Sequence, residues 1–407
     1  MNDVKRVFRI TGVFLVAVCM AGFIGMPTAN AKEKSVNEKI LEILRERGEI
    51  TDSKYDEIKD QIKREQKTTA WLKGLKFKGD LRLRYENIYD QSKGNKDYQD
   101  RDRGRFRLRA GFEKELRPGL KVITRFAGGG RTSTSANQTF DDAFEDKDFW
   151  IDRAYAVYKP AFVPGLELGG GKFKNPFVHT DMIWDSDVNP EGAYEKYSYT
   201  GWKYFEPFVT LGQMWIYERK REKDASLLTW QGGFIVKPAR HVKWTIACAY
   251  YDYNNIDPDL AEDYANRNSL TPDKEHYLYD YHLLNVTNFL DFKIAEIPVR
   301  LYFDYVENQD NDVEKDTGYA AGFKLGKAKK KGDWEISYKY ASIEPDAVIG
   351  AFCDSDFGHA NREGHKVGVA YQLLDNVTFK LTGYFIEEES GEEDEYNMVH
   401  TDLVFKF

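Results

Sequence analysis

The stretch FKGDLRLRYEN, residues 77–87, carries the reading of the whole chain. Phe77, Leu81, Leu83 and Tyr85 fall on one face of an extended backbone, and Lys78, Asp80, Arg82, Arg84 and Glu86 fall on the other. A period of two with one apolar and one charged face describes a strand between an apolar medium and water. After a polar segment the pattern returns in RGRFRLRAGFEKEL, residues 103–116, where Phe106, Leu108, Ala110 and Phe112 oppose Arg105, Arg107 and Arg109. Pro118 and Gly119 then supply turn chemistry, and LKVITRFAG, residues 120–128, runs back.

The rhythm continues to the last residue. Short turns are expected at KPAFVPG (159–165), YFEP (204–207), KPARH (237–241), AEIP (295–298), KAKKKGD (327–333) and LLDN (373–376). Longer polar segments alternate with them, around 129–147, 173–194, 254–276, 308–316, 343–363 and 387–395, with a shorter one near 220–226. Short turns at one end and long loops at the other describe an all-β, transmembrane antiparallel barrel. The count is about 16 strands, an even number with both chain ends on the periplasmic side. A barrel of that size has an interior wide enough for water.

Composition agrees. A mean hydropathy of −0.63 and 31% charged residues describe a soluble protein, yet the chain holds 26 Tyr, 26 Phe and 8 Trp. Alternating lipid-facing and lumen-facing residues keep mean hydropathy low, and aromatic girdles at both interfaces absorb the rings.

The compartment is read from the amino terminus. Lys5, Arg6 and Arg9 precede the apolar run VFLVAVCMAGFIGM, and TANA follows with Ala29 and Ala31 in an A-x-A arrangement, so residues 1–31 read as a secretory signal peptide. Its removal takes three bases and one acid and moves the net charge from −8 to −10. Residues 32–73 form a charged helical segment expected in the periplasm. Val36, Ile40, Ile43 and Leu44 recur at helical spacing, Gly48 interrupts, and Ile50, Tyr55, Ile58 and Ile62 resume, with Thr51 or Ser53 as cap. Two short helices, as a hairpin or coiled coil, are expected there. Residues 74–407 are the barrel.

The chain ends in VHTDLVFKF, with Val399, Leu403, Phe405 and Phe407 in alternation toward lipid and Asp402 and Lys406 toward the lumen. An alternating last strand ending in an aromatic resembles the signature that the barrel-assembly machinery recognises, which makes Leu403, Phe405 and Phe407 the assembly signal and that machinery a partner. The last strand must also pair with the first, because no sheet edge is tolerated in lipid.

RGRFRLRAGF, WDSDVNPEG (184–192), KAKKKGDWEISYKYASIEPDAV (327–348), CDSDFG (353–358) and GHKVGVAYQL (364–373) together resemble the bacterial putative porin family, over about Gly79 to Phe407. The loop NPFVHTDMIWDSDVNPEGAYEKY follows the fifth expected strand, LELGGGKF, and its NPEGA is similar to the tip of the loop that general porins fold into the lumen. The resemblance implies an outer-membrane channel for passive diffusion of small hydrophilic solutes and ions. It also implies a homotrimer, with membrane lipid and lipopolysaccharide as surroundings.

Antiparallel pairing sets Arg82 and Arg84 beside Arg105, Arg107 and Arg109, with Arg125 on the next strand. Like charges opposite each other are unfavourable unless counter-charges or wide water relieve them. The inward loop offers Asp181, Asp185, Asp187 and Glu191. An arginine wall facing this acidic loop is similar to the eyelet of general porins, where a transverse field sorts solutes. Local ion pairs of the same arginines with Asp80, Glu86 and Glu113 are the alternative. Weak anion preference or none follows, because the arginines and the net charge pull in opposite directions. CDSDFG, with Asp354 and Asp356, reads as a solvated acidic loop tip, or as a cation bridge to lipopolysaccharide.

Other chemistry is sparse. The seven His show no H-x-x-x-H spacing, and Cys248 and Cys353 fall on a strand and in a distant loop, so no metal, cofactor, nucleic-acid partner or enzyme site is indicated. The GGG runs at 128–130 and 169–171 lack a phosphate-loop lysine and instead read as places of close packing. Two other readings stay open: a structural barrel tethering membrane to cell wall through its helices, and a barrel enzyme acting on lipid. For the latter, His282 and His400 lie on strands without a visible nucleophile.

Overall fold

The computed structural model describes residues 36–69, 72, 74–91, 100–130, 132–391 and 395–407, so the signal-peptide segment lies outside the described residues. The chain divides into two compact units at Lys73/Gly74. In the first, α1 (Val36–Glu46) and α2 (Asp52–Thr69) form two helices. Thr51 caps α2, its hydroxyl accepting from the Lys54 amide at 3.3 Å. Leu41 and Tyr55 are buried, and Arg45 lies 4.7 Å over the Tyr55 ring while pairing with Asp52 at 2.8 Å.

The second unit is one closed antiparallel sheet. Its strands are β1 (Leu75–Gln91), β2 (Arg101–Arg117), β3 (Leu120–Gly128), β4 (Phe149–Tyr158), β5 (Leu166–Lys172), β6 (Glu191–Ser198), β7 (Phe205–Tyr217) and β8 (Ala225–Ala239). Then follow β9 (Val242–Asn254), β10 (His282–Ile294), β11 (Ile297–Asn308), β12 (Thr317–Gly326), β13 (Trp334–Ile343), β14 (Arg362–Leu374), β15 (Val377–Glu387) and β16 (Glu395–Lys406). Each pairs with its sequence neighbours, and β16 pairs back onto β1, so sixteen strands close a barrel. A two-residue strand, Gln138–Thr139, adds to β2 from within a loop. The connections at the loop end are numbered here L1 to L8 in chain order. L2 spans 129–148, L3 173–190, L5 255–281 and L7 344–361.

The period-2 reading holds through the closure. Leu83 is opposite both Phe106 and Leu403, and Phe77, Leu83 and Tyr85 are exposed on the outer face while Arg84 and Glu86 are buried inside. Trp215, Trp230, Trp244 and Trp334 are among the exposed outer rings. The final residue is gripped by the sheet: Gly79 donates to the Phe407 carbonyl at 2.8 Å, Phe407 donates to the Gly79 carbonyl at 3.1 Å, and its ring lies 5.8 Å from that of Phe77.

The segments expected as exterior loops around 254–276 and 343–363 are a correction. L5, with its short helix α3 (Asp259–Tyr264), and L7 fold inward together with L3. Met182, Ile183 and Trp184 of L3, Leu260 of L5, and Val348, Ile349 and Phe357 of L7 pack with Leu227, Tyr251, Leu283 and Val306 from the inner face of the wall. A barrel of this width is not filled by wall side chains, and here the inward loops occupy part of the interior. Gly169 shows how tightly they fit, because a Cβ there would stand 2.1 Å from the Tyr194 ring, which packs edge-on to Phe173 at 4.9 Å.

Candidate functional site

The register of β1 and β2 places Arg82 opposite Arg107 and Arg84 opposite Arg105, and sets Asp80 against Arg109 and Glu86 against Arg103. The acids Asp80 and Glu86 thus flank the arginine pairs at the two ends of the β1 row. Asp80 accepts from Arg109 at 2.6 Å and from Arg107 at 3.2 Å. Glu86, 0% exposed, accepts from Arg105 at 3.1 Å, from Arg84 at 3.4 Å and from Arg103. Arg84 also chelates Asp402 with two bonds of 2.7 and 3.0 Å. These are the local ion pairs that the residue pattern offered as an alternative, although Glu113 pairs with Lys78 at 3.1 Å and Lys121 at 3.4 Å instead of an arginine. Arg125 stands beside Arg153, and a bulge at Arg125/Phe126 inserts Asp152 into β4 to pair with it.

L3 brings only some of its acids to this wall. Asp187 meets Arg109 at 3.0 Å and Arg107 at 3.5 Å. Asp185 faces no basic partner at ion-pair distance among the described residues and accepts from the amides of Asp187 at 2.8 Å and Ser355 at 3.3 Å. Asp181 is held away from the arginines, on Lys339 of β13 at 2.9 Å and Lys366 of β14 at 3.2 Å. Glu191 begins β6, is exposed, and pairs with Lys172 at 2.7 Å, away from the arginines.

The reading of CDSDFG as a solvated loop tip is corrected. Asp354 is 7% exposed and pairs with Lys366 at 2.8 Å, and Asp356 pairs with Arg84 at 3.1 Å. The charges explain the protonation behaviour of these loop acids. Burial alone raises a carboxyl, but Lys339 and Lys366 outweigh it at Asp181, and Arg84 and His400 outweigh it at Asp356, so both fall far below the usual range. At Asp185 burial is joined by repulsion from Asp354, and its pKa is pushed up to about 8.

Lys339 and Lys366 escaped the sequence reading, yet their signal was present. They lie directly opposite each other on β13 and β14, and the like-charge rule applied to the arginines demands counter-charges for them too. The lumen therefore has two cationic walls, with the acids of L3 and L7 between them.

Two cavities follow this arrangement. One of about 440 Å³ lies among L2, L3, L5 and L7, with Trp150, Asp152, Lys172 and Asn189 in its walls. The other, of about 130 Å³, is lined by Arg82, Arg107 and Lys366 and by Asp181, Asp185, Asp187, Asp354 and Asp356. Both include Ser135 and Asp187, so they are consecutive. Arg82 is the exceptional wall residue: it donates to the Asn137 side chain, its Nε has no partner, and among the described residues no carboxylate lies within ion-pair distance. Glu86, Asp356 and His400 converge closely enough to hold a cation. The guanidiniums of Arg84, Arg103 and Arg105 already neutralise that corner, so the donor set does not fit a metal.

The comparisons agree with the barrel fold. The barrel superposes on the high-pH structure of Pseudomonas putida OprB with a TM-score of 0.55 and 11% identity, covering 84% of this chain and 96% of that one. A complex of Salmonella typhi OmpF with daunomycin gives 0.50 at 9% identity, covering 82% and 97%. No curated protein matches the sequence. The family model described as "Putative porin" matches residues 94–282 and 278–407. The chain thus belongs to the putative porin family and is an outer-membrane β-barrel channel protein, not an enzyme.

Proposed function

We propose that this porin passes small hydrophilic solutes and ions by passive diffusion through a constriction between the arginine wall and the inward acidic loop. The single observation that carries this reading is the cavity in which Arg82 and Arg107 face Asp185 and Asp187. Charges of both signs around a narrow, polar space create a local field, and that field sorts solutes by charge and dipole. Three bases line this cavity against five acids, of which Asp185 is held largely protonated at neutral pH, so selectivity is weak and the uncompensated Arg82 opposes a cation preference. Asp181 acts as an anchor of L3 in this scheme, and Glu191 and Arg125 stand outside the narrowest point.

Residues 1–31 direct export, residues 32–73 are a periplasmic helical segment, and Leu403, Phe405 and Phe407 present the assembly signal. Three copies assemble as a homotrimer in lipid and lipopolysaccharide. The test is the current across a planar bilayer after addition of refolded protein, with a salt gradient. Discrete steps are expected. A folded barrel that gives none would overturn the channel reading.

A further inference from the structure

We propose that L7 is a second constriction loop, latched to L3, and that Asp354, Lys366 and Lys339 set the aperture of the channel. The proposal rests on the diffusion reading above and assigns the control of its narrowest point to a loop and a lysine wall that the sequence pattern left outside the site.

L3 and L7 carry the same short motif, Trp184-Asp185-Ser186-Asp187 and Cys353-Asp354-Ser355-Asp356 having an Asp-Ser-Asp core in common. The two loops are joined by backbone bonds from these cores. Asp185 donates to the Phe352 carbonyl at 2.7 Å, and Asp354 donates to the Asp181 carbonyl at 3.1 Å. Trp184 of L3 stacks on Phe352 of L7 at 5.3 Å. Ionic contacts then fix the pair to the wall. Lys339 and Lys366 each reach both loops, Lys366 through Asp181 at 3.2 Å and Asp354 at 2.8 Å, Lys339 through the same acids at 2.9 and 3.6 Å. Each lysine would repel the other across β13 and β14 if either acid withdrew.

L7 is held from its other side as well. Asn268 of L5 donates to the carbonyls of Pro345 and Val348 at 2.6 and 2.7 Å and accepts from the Gly350 amide at 2.8 Å. Ser355 donates to the Thr134 carbonyl of L2 at 3.3 Å. L7 is thus wedged between three other loops, with Asp354 and Asp356 on the smaller cavity. Packed interiors shift between discrete arrangements rather than deforming smoothly. Loss of the L7 contacts would therefore let L3 and L7 part.

The test is single-channel recording of Asp354→Asn and Lys366→Gln in the full-length mature protein, with sugars of graded size in liposome swelling as a second readout. Asn keeps the shape of Asp354 and removes its charge. Losing a charge-assisted bond is expected to move the ratio of latched to parted loops about tenfold or more, seen as flicker, higher unit conductance and entry of larger sugars. The double variant is expected to match the stronger single one, because both break one network. Either variant alone suffices if the other does not fold. Wild-type steps with unchanged conductance, noise and size limit in the variants would overturn the latch and leave the channel reading intact; absence of wild-type steps would overturn the channel reading itself.

Discussion

Arg82→Gln is the substitution with the clearest expected consequence. Every other member of the arginine wall, Arg84, Arg105, Arg107, Arg109 and Arg125, has a carboxylate partner, whereas Arg82 rests on the neutral Asn137. Its charge is therefore the one that a passing ion meets uncompensated in the cavity of about 130 Å³. At a separation of about 4 Å in water, two unit charges interact by about 1 kcal/mol. That energy changes local ion concentration about fivefold for each sign, in opposite directions, so removing the charge shifts the anion-to-cation permeability ratio by about 5- to 30-fold toward cations, less as salt screens it. The assay is the reversal potential in a KCl gradient near 0.1 M, where the Debye length is about 10 Å. Barrel stability should move by less than about 1.5 kcal/mol, because the lost partner is a neutral amide. An unchanged reversal potential in a folded, conducting variant would refute the assignment of Arg82 to the ion path.

Glu86→Gln is expected to act in the opposite way, through stability. It leaves Arg84, Arg103 and Arg105 around a neutral amide in a fully buried corner, at a cost of about 3–5 kcal/mol. Urea unfolding followed by tryptophan fluorescence checks it, and a loss below about 1 kcal/mol would contradict the buried network. Asp185 gives a pH dependence. Its pKa of about 8 in the packed loops lies above its ordinary value of 3.8, so the packed state holds a proton that the parted state releases. Packing stability is then full below about pH 4, falls as pH rises toward about 8, and is level beyond. Unit conductance and flicker should increase between pH 5 and 8.5, Asp185→Asn should remove the change, and an identical pH profile in that variant would exclude Asp185 as its source.

The barrel was legible because strand periodicity is local. Phe77 to Glu86 state which face meets lipid, and a one-residue slip would reverse every side chain, so the pattern fixes orientation as well as strand. The same alternation, with antiparallel pairing of consecutive strands, gave the juxtaposition of Arg82 with Arg107 and of Arg84 with Arg105. Nothing local distinguishes a polar loop that hangs in water from one that folds inward. L7 reads as EPDAVIGAFCDSDFGHAN, too short and too mixed to declare a buried side. Its placement depends on Asn268 of L5, Trp184 of L3 and the paired lysines of β13 and β14, residues far apart in the chain. The amino-acid sequence by itself determined the strands and their faces, since each follows from neighbours two residues apart. Which arginines are spent on local partners, and which loops close the lumen, only the tertiary structure decided, because those contacts join charges that meet only once the barrel has closed.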